Sequence, residues 1–129
     1  MEFNHCIKFL FETVDRKKYA TDSKLSNEDF QLLKPYADSA MPLRCNATIS
    51  APHMHVTCLN ALKDSISLEN SKADEISCLD IGSGSGFISA ALCHLLEYHG
   101  KKGRILAIDH ISDLVELGRE NVERDESSK

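Results

Sequence analysis

The sequence predicts an α/β protein: an N-terminal helical region, then the first β-α-β-α units of a doubly wound parallel sheet. Three observations predict it. A short apolar run, Glu75-Ile76-Ser77-Cys78-Leu79-Asp80-Ile81, is suited to a buried strand and stops at Gly82-Ser83-Gly84-Ser85-Gly86. Ile88, Ala91, Leu92 and Leu95 then recur at helical spacing, with Gly100 placed for a left-handed C-cap. Arg104-Ile105-Leu106-Ala107-Ile108-Asp109 makes a second short strand, and a right-handed crossover would return it parallel to the first.

The remaining elements follow in order. Phe3, Ile7, Leu10, Phe11 and Val14 form an amphipathic helix ending near the charged run Asp15-Arg16-Lys17-Lys18. Residues 20 to 44 form a loop-rich connector, with a helical turn or two over Asn27 to Leu33. His55, Leu59, Leu62 and Ile66 share one face of a helix from about Ala51 to Ser67, which Ser50 would cap and Pro52 would enter at its first turn. Leu68 to Asp74 is a polar turn. Ser112 would cap a last helix whose inward face is Leu114, Val115, Gly118 and Val122.

Of the 129 residues, 42% are apolar and 27% charged, as in an ordinary globular domain. A net charge of −5 argues against a nucleic-acid binder held by phosphate contacts. The five cysteines are odd in number and lack a Cys-x-x-Cys pair, which points to a reducing compartment and away from disulfides or a metal site. We read no signal peptide and no apolar run long enough to span a bilayer. The expected location is the cytoplasm.

The glycine segment lies at the carboxyl end of its strand, where open α/β sheets place ligands. A dinucleotide fingerprint needs a third glycine where Phe87 stands, and a P-loop needs an absent Gly-Lys-Ser/Thr ending. Asp80 would oppose a bound phosphate and suits a cationic ligand such as S-adenosylmethionine. Asp109 ends the second strand 23 residues after Gly86, where a carboxylate can accept from ribose hydroxyls or cap the last helix.

Asn46 to His55 (Asn-Ala-Thr-Ile-Ser-Ala-Pro-His-Met-His), Cys78 to Gly86 and Ala107 to Ile111 resemble consecutive motifs of the protein-L-isoaspartate (D-aspartate) O-methyltransferase family. The glycine motif alone indicates only a class I S-adenosylmethionine-dependent methyltransferase; the Thr-Ile-Ser-Ala-Pro-His-Met-His segment is much narrower. Weaker similarity extends through Tyr36-Ala37-Asp38-Ser39 and from Asp15-Arg16 to Tyr19-Ala20.

The resemblance implies a Rossmann-like class I methyltransferase fold. It also implies methyl transfer from S-adenosylmethionine to the free carboxylate of isoaspartyl or D-aspartyl residues in damaged proteins and peptides, a protein-repair reaction. Ser50 matches the family's active-site serine, with Ala47, Thr48, Ile49 and His55 as cofactor-binding residues in the same cofactor- and substrate-facing segment, and the free N–H groups of the helix starting there would favour the substrate carboxylate. Asp80, Gly82, Ser83, Gly84 and Gly86 would pass beside the methionine part of the cofactor. Asp109 would hold the ribose, and His110 with Ile111 would lie by the adenine. No metal, nucleic acid or membrane is implied, and a monomer is expected.

The chain departs from the family at Ala40-Met41-Pro42-Leu43-Arg44-Cys45, where a glycine is usual, and in a longer connector from Thr21 to Lys34. Family members also continue with further strands beyond the Asp-His-Ile motif. We therefore expect one methyltransferase domain comprising a helical and substrate-loop region, 1–74, and a partial cofactor-binding region, 75–129, truncated at the C-terminus. The alternative is a truncated, inactive α/β module with weak ligand binding or a protein-interaction role.

Overall fold

A computed structural model describes residues 5–67 and 75–125. Phe3 and the expected turn at Leu68 to Asp74 lie outside the described residues. Helix α1 (His5–Thr13) buries Ile7 and Leu10 of the expected stripe together with Cys6, while Phe11 is half-buried and Val14 is buried just beyond the helix end. The charged run does not simply end it. Asp15 accepts from the Lys17 N–H and caps a one-turn helix, α2 (Arg16–Tyr19). The connector carries α3 (Asn27–Gln31), capped by Ser26.

A small antiparallel pair, β1 (Met41–Pro42) and β2 (Thr48–Ile49), follows and was not foreseen. Its turn places Cys45 and Asn46 at φ of 60° and 56°. Asn tolerates positive φ but Cys rarely adopts it, so a turn built from Cys-Asn without glycine carries only a weak sequence flag. The hairpin is pinned by a buried ion pair. Arg44 reaches Asp22 through Nε (2.9 Å) and Nη2 (2.9 Å), and the Arg44 N–H donates to the same carboxylate at 3.0 Å.

Helix α4 (Pro52–Ile66) buries His55, Val56, Leu59 and Ile66. Leu62, expected on that face, is exposed, because the buried stripe swings toward Val56 instead. Strand β3 (Glu75–Ile81), helix α5 (Phe87–Tyr98), strand β4 (Lys102–Ile108) and helix α6 (Ser112–Arg124) complete the order. β3 and β4 pair in parallel along their whole length, from Glu75 opposite Lys102 to Ile81 opposite Ile108. Gly100 takes the left-handed conformation expected after α5, with φ of 64°.

The strands are half-buried rather than fully buried. Ile76, Cys78 and Ile105 pack toward α1, α4 and α5, whereas Leu79, Ile81, Leu106 and Ile108 of the opposite face are exposed. Helices cover only one side of this two-stranded sheet among the described residues, so alternation replaces continuous burial. The inward face of α6 is Leu114, Leu117 and Asn121, with Val115, Gly118 and Val122 only partly covered.

Candidate active site

The glycine loop grows directly out of the sheet. After Ile81 the chain turns, and the Gly82 and Ser83 N–H groups both donate to the Ile108 carbonyl, at 2.8 and 3.0 Å. Gly82, Gly84 and Gly86 adopt φ of 78°, 53° and 94°, a region that side-chain-bearing residues rarely enter. A Cβ at Gly82 would meet nothing within 4 Å, so the space in front of its backbone is open. The Asn121 amide holds the loop from α6 by donating to the Ser85 carbonyl at 3.0 Å.

In front of the loop lies a cavity of about 280 Å³, near the lower end of small-molecule sites. It brings together Thr48, Ile49 and Ser50 from the hairpin side, His55 from α4, and Asp80, Gly82, Ser83 and Gly84 from the loop. Met54, Cys58 and Phe87, which the sequence reading did not single out, also line it. Ala47, Gly86, Asp109 and His110 do not. Gly86 instead faces a second groove against α6. His110 is exposed, with Nδ1 3.4 Å from Asp109 Oδ1.

Asp109 is a fastening of the loop. Its Oδ2 accepts the Gly84 N–H at 3.1 Å and its Oδ1 accepts the Ile111 N–H at 3.2 Å. Burial pushes its carboxyl up, but the Gly84 and Ile111 N–H groups and nearby His110 outweigh that and hold it below the usual range. Each oxygen keeps a further lone pair that a ribose hydroxyl could use. Asp80 accepts from Ser89 Oγ at 2.7 Å.

His55 is buried and stacks on Phe87, with ring centroids 4.6 Å apart. Burial first, and the Arg16 charge second, lower its pKa to about 4, so it is neutral at pH 7. Its Nδ1 has no hydrogen-bond partner.

Two expectations at this site are corrected. Ser50 does not cap α4: the N-cap is Ala51, with no side-chain bond, and the exposed Ser50 stands one residue earlier. The start of α4 does not present free N–H groups. Pro52 has none, His53 donates to Asp38 Oδ1 at 2.9 Å, and Met54 and His55 donate to the Ala51 carbonyl. Likewise Ser112 opens α6 without capping it, since the N-cap is Ile111. Asp109 secures that turn through the Ile111 N–H.

The residues fit a ligand with positive charge. No Lys or Arg lines the cavity, Asp80 does, and the bare glycine backbone permits close approach. That chemistry suits a sulfonium and an ammonium better than a phosphate. Arg16 and Asn121 act on the site and escaped the sequence reading; the available signals were Arg16 in the weak upstream similarity and a polar residue on the inward face of α6.

A family model described as protein-L-isoaspartate(D-aspartate) O-methyltransferase matches residues 3–129. A Triticum aestivum protein-L-isoaspartate O-methyltransferase is 41% identical over 115 residues, covering 89% of this chain and 42% of the relative. A Dictyostelium discoideum protein named "Probable protein-L-isoaspartate O-methyltransferase" is 39% identical over 128 residues, covering 99% of this chain and 36% of the relative. The chain thus spans less than half the length of these curated relatives. A crystal structure named "putative protein-L-isoaspartate O-methyltransferase beta-aspartate methyltransferase (PCMT)" from Plasmodium falciparum, in complex with S-adenosyl-L-homocysteine, superposes with a TM-score of 0.74 at 25% identity, over 98% of this chain and 51% of that one. With the narrow motif and the fold in agreement, this chain belongs to the protein-L-isoaspartate (D-aspartate) O-methyltransferase family.

Proposed function

We propose that the chain is a protein-L-isoaspartate (D-aspartate) O-methyltransferase that uses S-adenosylmethionine to methylate the free carboxylate of isoaspartyl and D-aspartyl residues in damaged proteins. The observation that carries this reading is the single cavity joining Thr48, Ile49, Ser50 and His55 to the glycine loop. When bound, the cofactor supplies an electrophilic methyl group on a sulfonium. Asp80 and the backbone at Gly82, Ser83 and Gly84 hold its methionine end, Asp109 its ribose, and His110 with Ile111 its adenine. Gly86 shapes the loop, Thr48, Ile49 and His55 face cofactor and acceptor across the cavity with Ala47 behind them in the same segment, and the Ser50 hydroxyl orients the acceptor.

Few acid–base groups line the cavity, and the proposed chemistry needs few. An acceptor carboxylate with a pKa near 4 is already ionised at neutral pH, so no general base is required. His55, neutral and packed on Phe87, supplies a fixed wall. Alignment of acceptor and methyl group, with water excluded, then provides much of the acceleration. In this reading regions 1–74 and 75–129 act as one methyltransferase domain. We place the protein in the cytoplasm as a monomer, acting on protein and peptide substrates without nucleic acid or membrane; the acidic net charge speaks against phosphate contacts, and an odd number of cysteines without a Cys-x-x-Cys pair supports a reducing compartment. No helix among the described residues is long and apolar enough to cross a membrane.

Incubation with labelled S-adenosylmethionine and an isoaspartyl peptide should give a base-labile methyl ester. Label no greater than with the normal-aspartyl peptide would sink the proposal. One observation favours a second reading, an inactive module: the exposed face of Leu79, Ile81, Leu106 and Ile108. A cooperative melting transition that S-adenosylmethionine raises would count against it.

A further inference from the structure

A carboxylate brought beside Ser50 finds little favourable charge at the start of α4. The first-turn N–H groups are taken, and Asp38 sets a negative charge against the positive end of the helix. No cation lines the cavity. One lies behind it.

Arg16 is 5% exposed, and its guanidinium is committed to three main-chain carbonyls. Nε donates to Pro35 at 2.7 Å, Nη1 to Ser50 at 2.8 Å and Nη2 to Ser39 at 3.3 Å. None of these partners is a carboxylate. The contrast with Arg44 is direct, because Asp22 meets that guanidinium at 2.9 Å. A buried cation satisfied by neutral dipoles keeps more of its outward field than an ion-paired one. Burial lowers the Arg16 pKa and nearby Asp38 raises it, but a guanidinium stays charged throughout. Its charge is felt at the cavity wall, where it adds to burial in keeping His55 neutral.

The fork also has a mechanical effect. Pro35 and Ser39 belong to the connector, whereas Ser50 stands at the neck of α4. One side chain therefore ties three separate backbone positions together beneath the proposed acceptor site. Lysine, a point charge without the planar fork, could not hold all three in the same geometry.

We propose that Arg16 is a positioning residue that sets specificity for the acceptor: it gathers the Pro35, Ser39 and Ser50 carbonyls beneath the cavity and biases the Ser50 side toward a carboxylate. This rests on the methyltransferase reading. It differs from that reading in assigning selection of the anionic acceptor to a residue that touches neither substrate nor cofactor.

The test compares the wild-type chain with Arg16→Gln and Arg16→Lys in three measurements: methylation kinetics on an isoaspartyl peptide, calorimetric affinity for S-adenosylhomocysteine, and NMR titration of His55 without ligand. Loss of a charged hydrogen-bonding group should raise the peptide KM of Arg16→Gln by about tenfold. Its S-adenosylhomocysteine affinity should be unchanged and its His55 midpoint should rise. Arg16→Lys should recover part of the KM and keep the low midpoint. An unchanged KM in Arg16→Gln, or cofactor affinity falling in parallel with peptide binding, would overturn the inference. So would a His55 midpoint unmoved in Arg16→Gln. The two readings fail differently: a wild type that neither binds S-adenosylhomocysteine nor methylates the peptide overturns the methyltransferase reading and this inference with it, whereas a wild type that does both, beside an Arg16→Gln variant with unchanged KM, overturns the inference alone. Should Arg16→Gln not fold, Arg16→Lys decides alone, since a raised KM at unaltered cofactor affinity supports the role and wild-type kinetics refute it.

Discussion

The His55 ring lies flat on Phe87, with centroids 4.6 Å apart and planes 14° from parallel. This stack closes one wall of the cavity with a histidine that burial keeps uncharged. Its ordinary pKa of 6.5 drops to about 4 in the fold, so the unfolded chain takes up the proton first as pH falls. Stability should therefore decline from about pH 6.5 downward and stop declining on this account near pH 4, a total of about 3 kcal/mol. Urea denaturation at several pH values should show that slope in the wild type and a shallower one in His55→Gln. Equal slopes would mean that His55 is not the titrating group.

Asp109 fastens the loop at Gly84, so its loss should act on the cofactor site before it acts on the core. Asp109→Ala removes the acceptor for two backbone N–H groups and the proposed ribose contact. We expect S-adenosylhomocysteine affinity to fall by at least about tenfold, the order of one to two such hydrogen bonds. Calorimetry checks this, and unchanged affinity would contradict the role assigned to the carboxylate.

The Asp22 carboxylate is fully buried and the Arg44 side chain nearly so. Removing one partner leaves the other charge stranded, at a cost of about 3–5 kcal/mol. Asp22→Leu should therefore be strongly destabilising, whereas the double variant with Arg44→Met should regain much of the loss. Additive losses in chemical denaturation would show that the two side chains do not act as a pair.

Two glycines separate space from conformation. A Cβ at Gly103 would collide with the Ile76 carbonyl oxygen across the strand pair, whereas at Gly100 it meets nothing and only the positive φ resists it. Gly100→Ala should cost about 1 kcal/mol. Gly103→Ala should exceed about 4 kcal/mol, in the range reserved for broken packing. Comparable melting temperatures for the two variants would refute the close strand approach.

Much of the second half was legible because its signals are local. β3 could be bounded at Glu75 and Ile81 since an apolar run meets a glycine that the turn requires, and the Ile88 to Leu95 stripe marks α5 by spacing alone. The caps were misread for the opposite reason. Ser50 and Ser112 have the right chemistry beside the right helices, but Asp38 in the connector takes the His53 N–H, and Asp109, the other cap that the sequence offered for the last helix, takes the Ile111 N–H. The hairpin escaped notice because Cys45 and Asn46 adopt left-handed backbone without glycine. Arg16 was illegible as a site residue because its partners are carbonyls, which every residue carries, and only the tertiary fold selects Pro35, Ser39 and Ser50.

The Ile108 carbonyl receives both the Gly82 and the Ser83 N–H groups, so the glycine loop is a continuation of the strand ladder rather than a separate flap. Fraying of β4 and loosening of the loop are then a single opening event. A ligand seated on the loop would slow amide exchange along β4, at residues it never touches, and the sheet's breathing would set how often the site is whole.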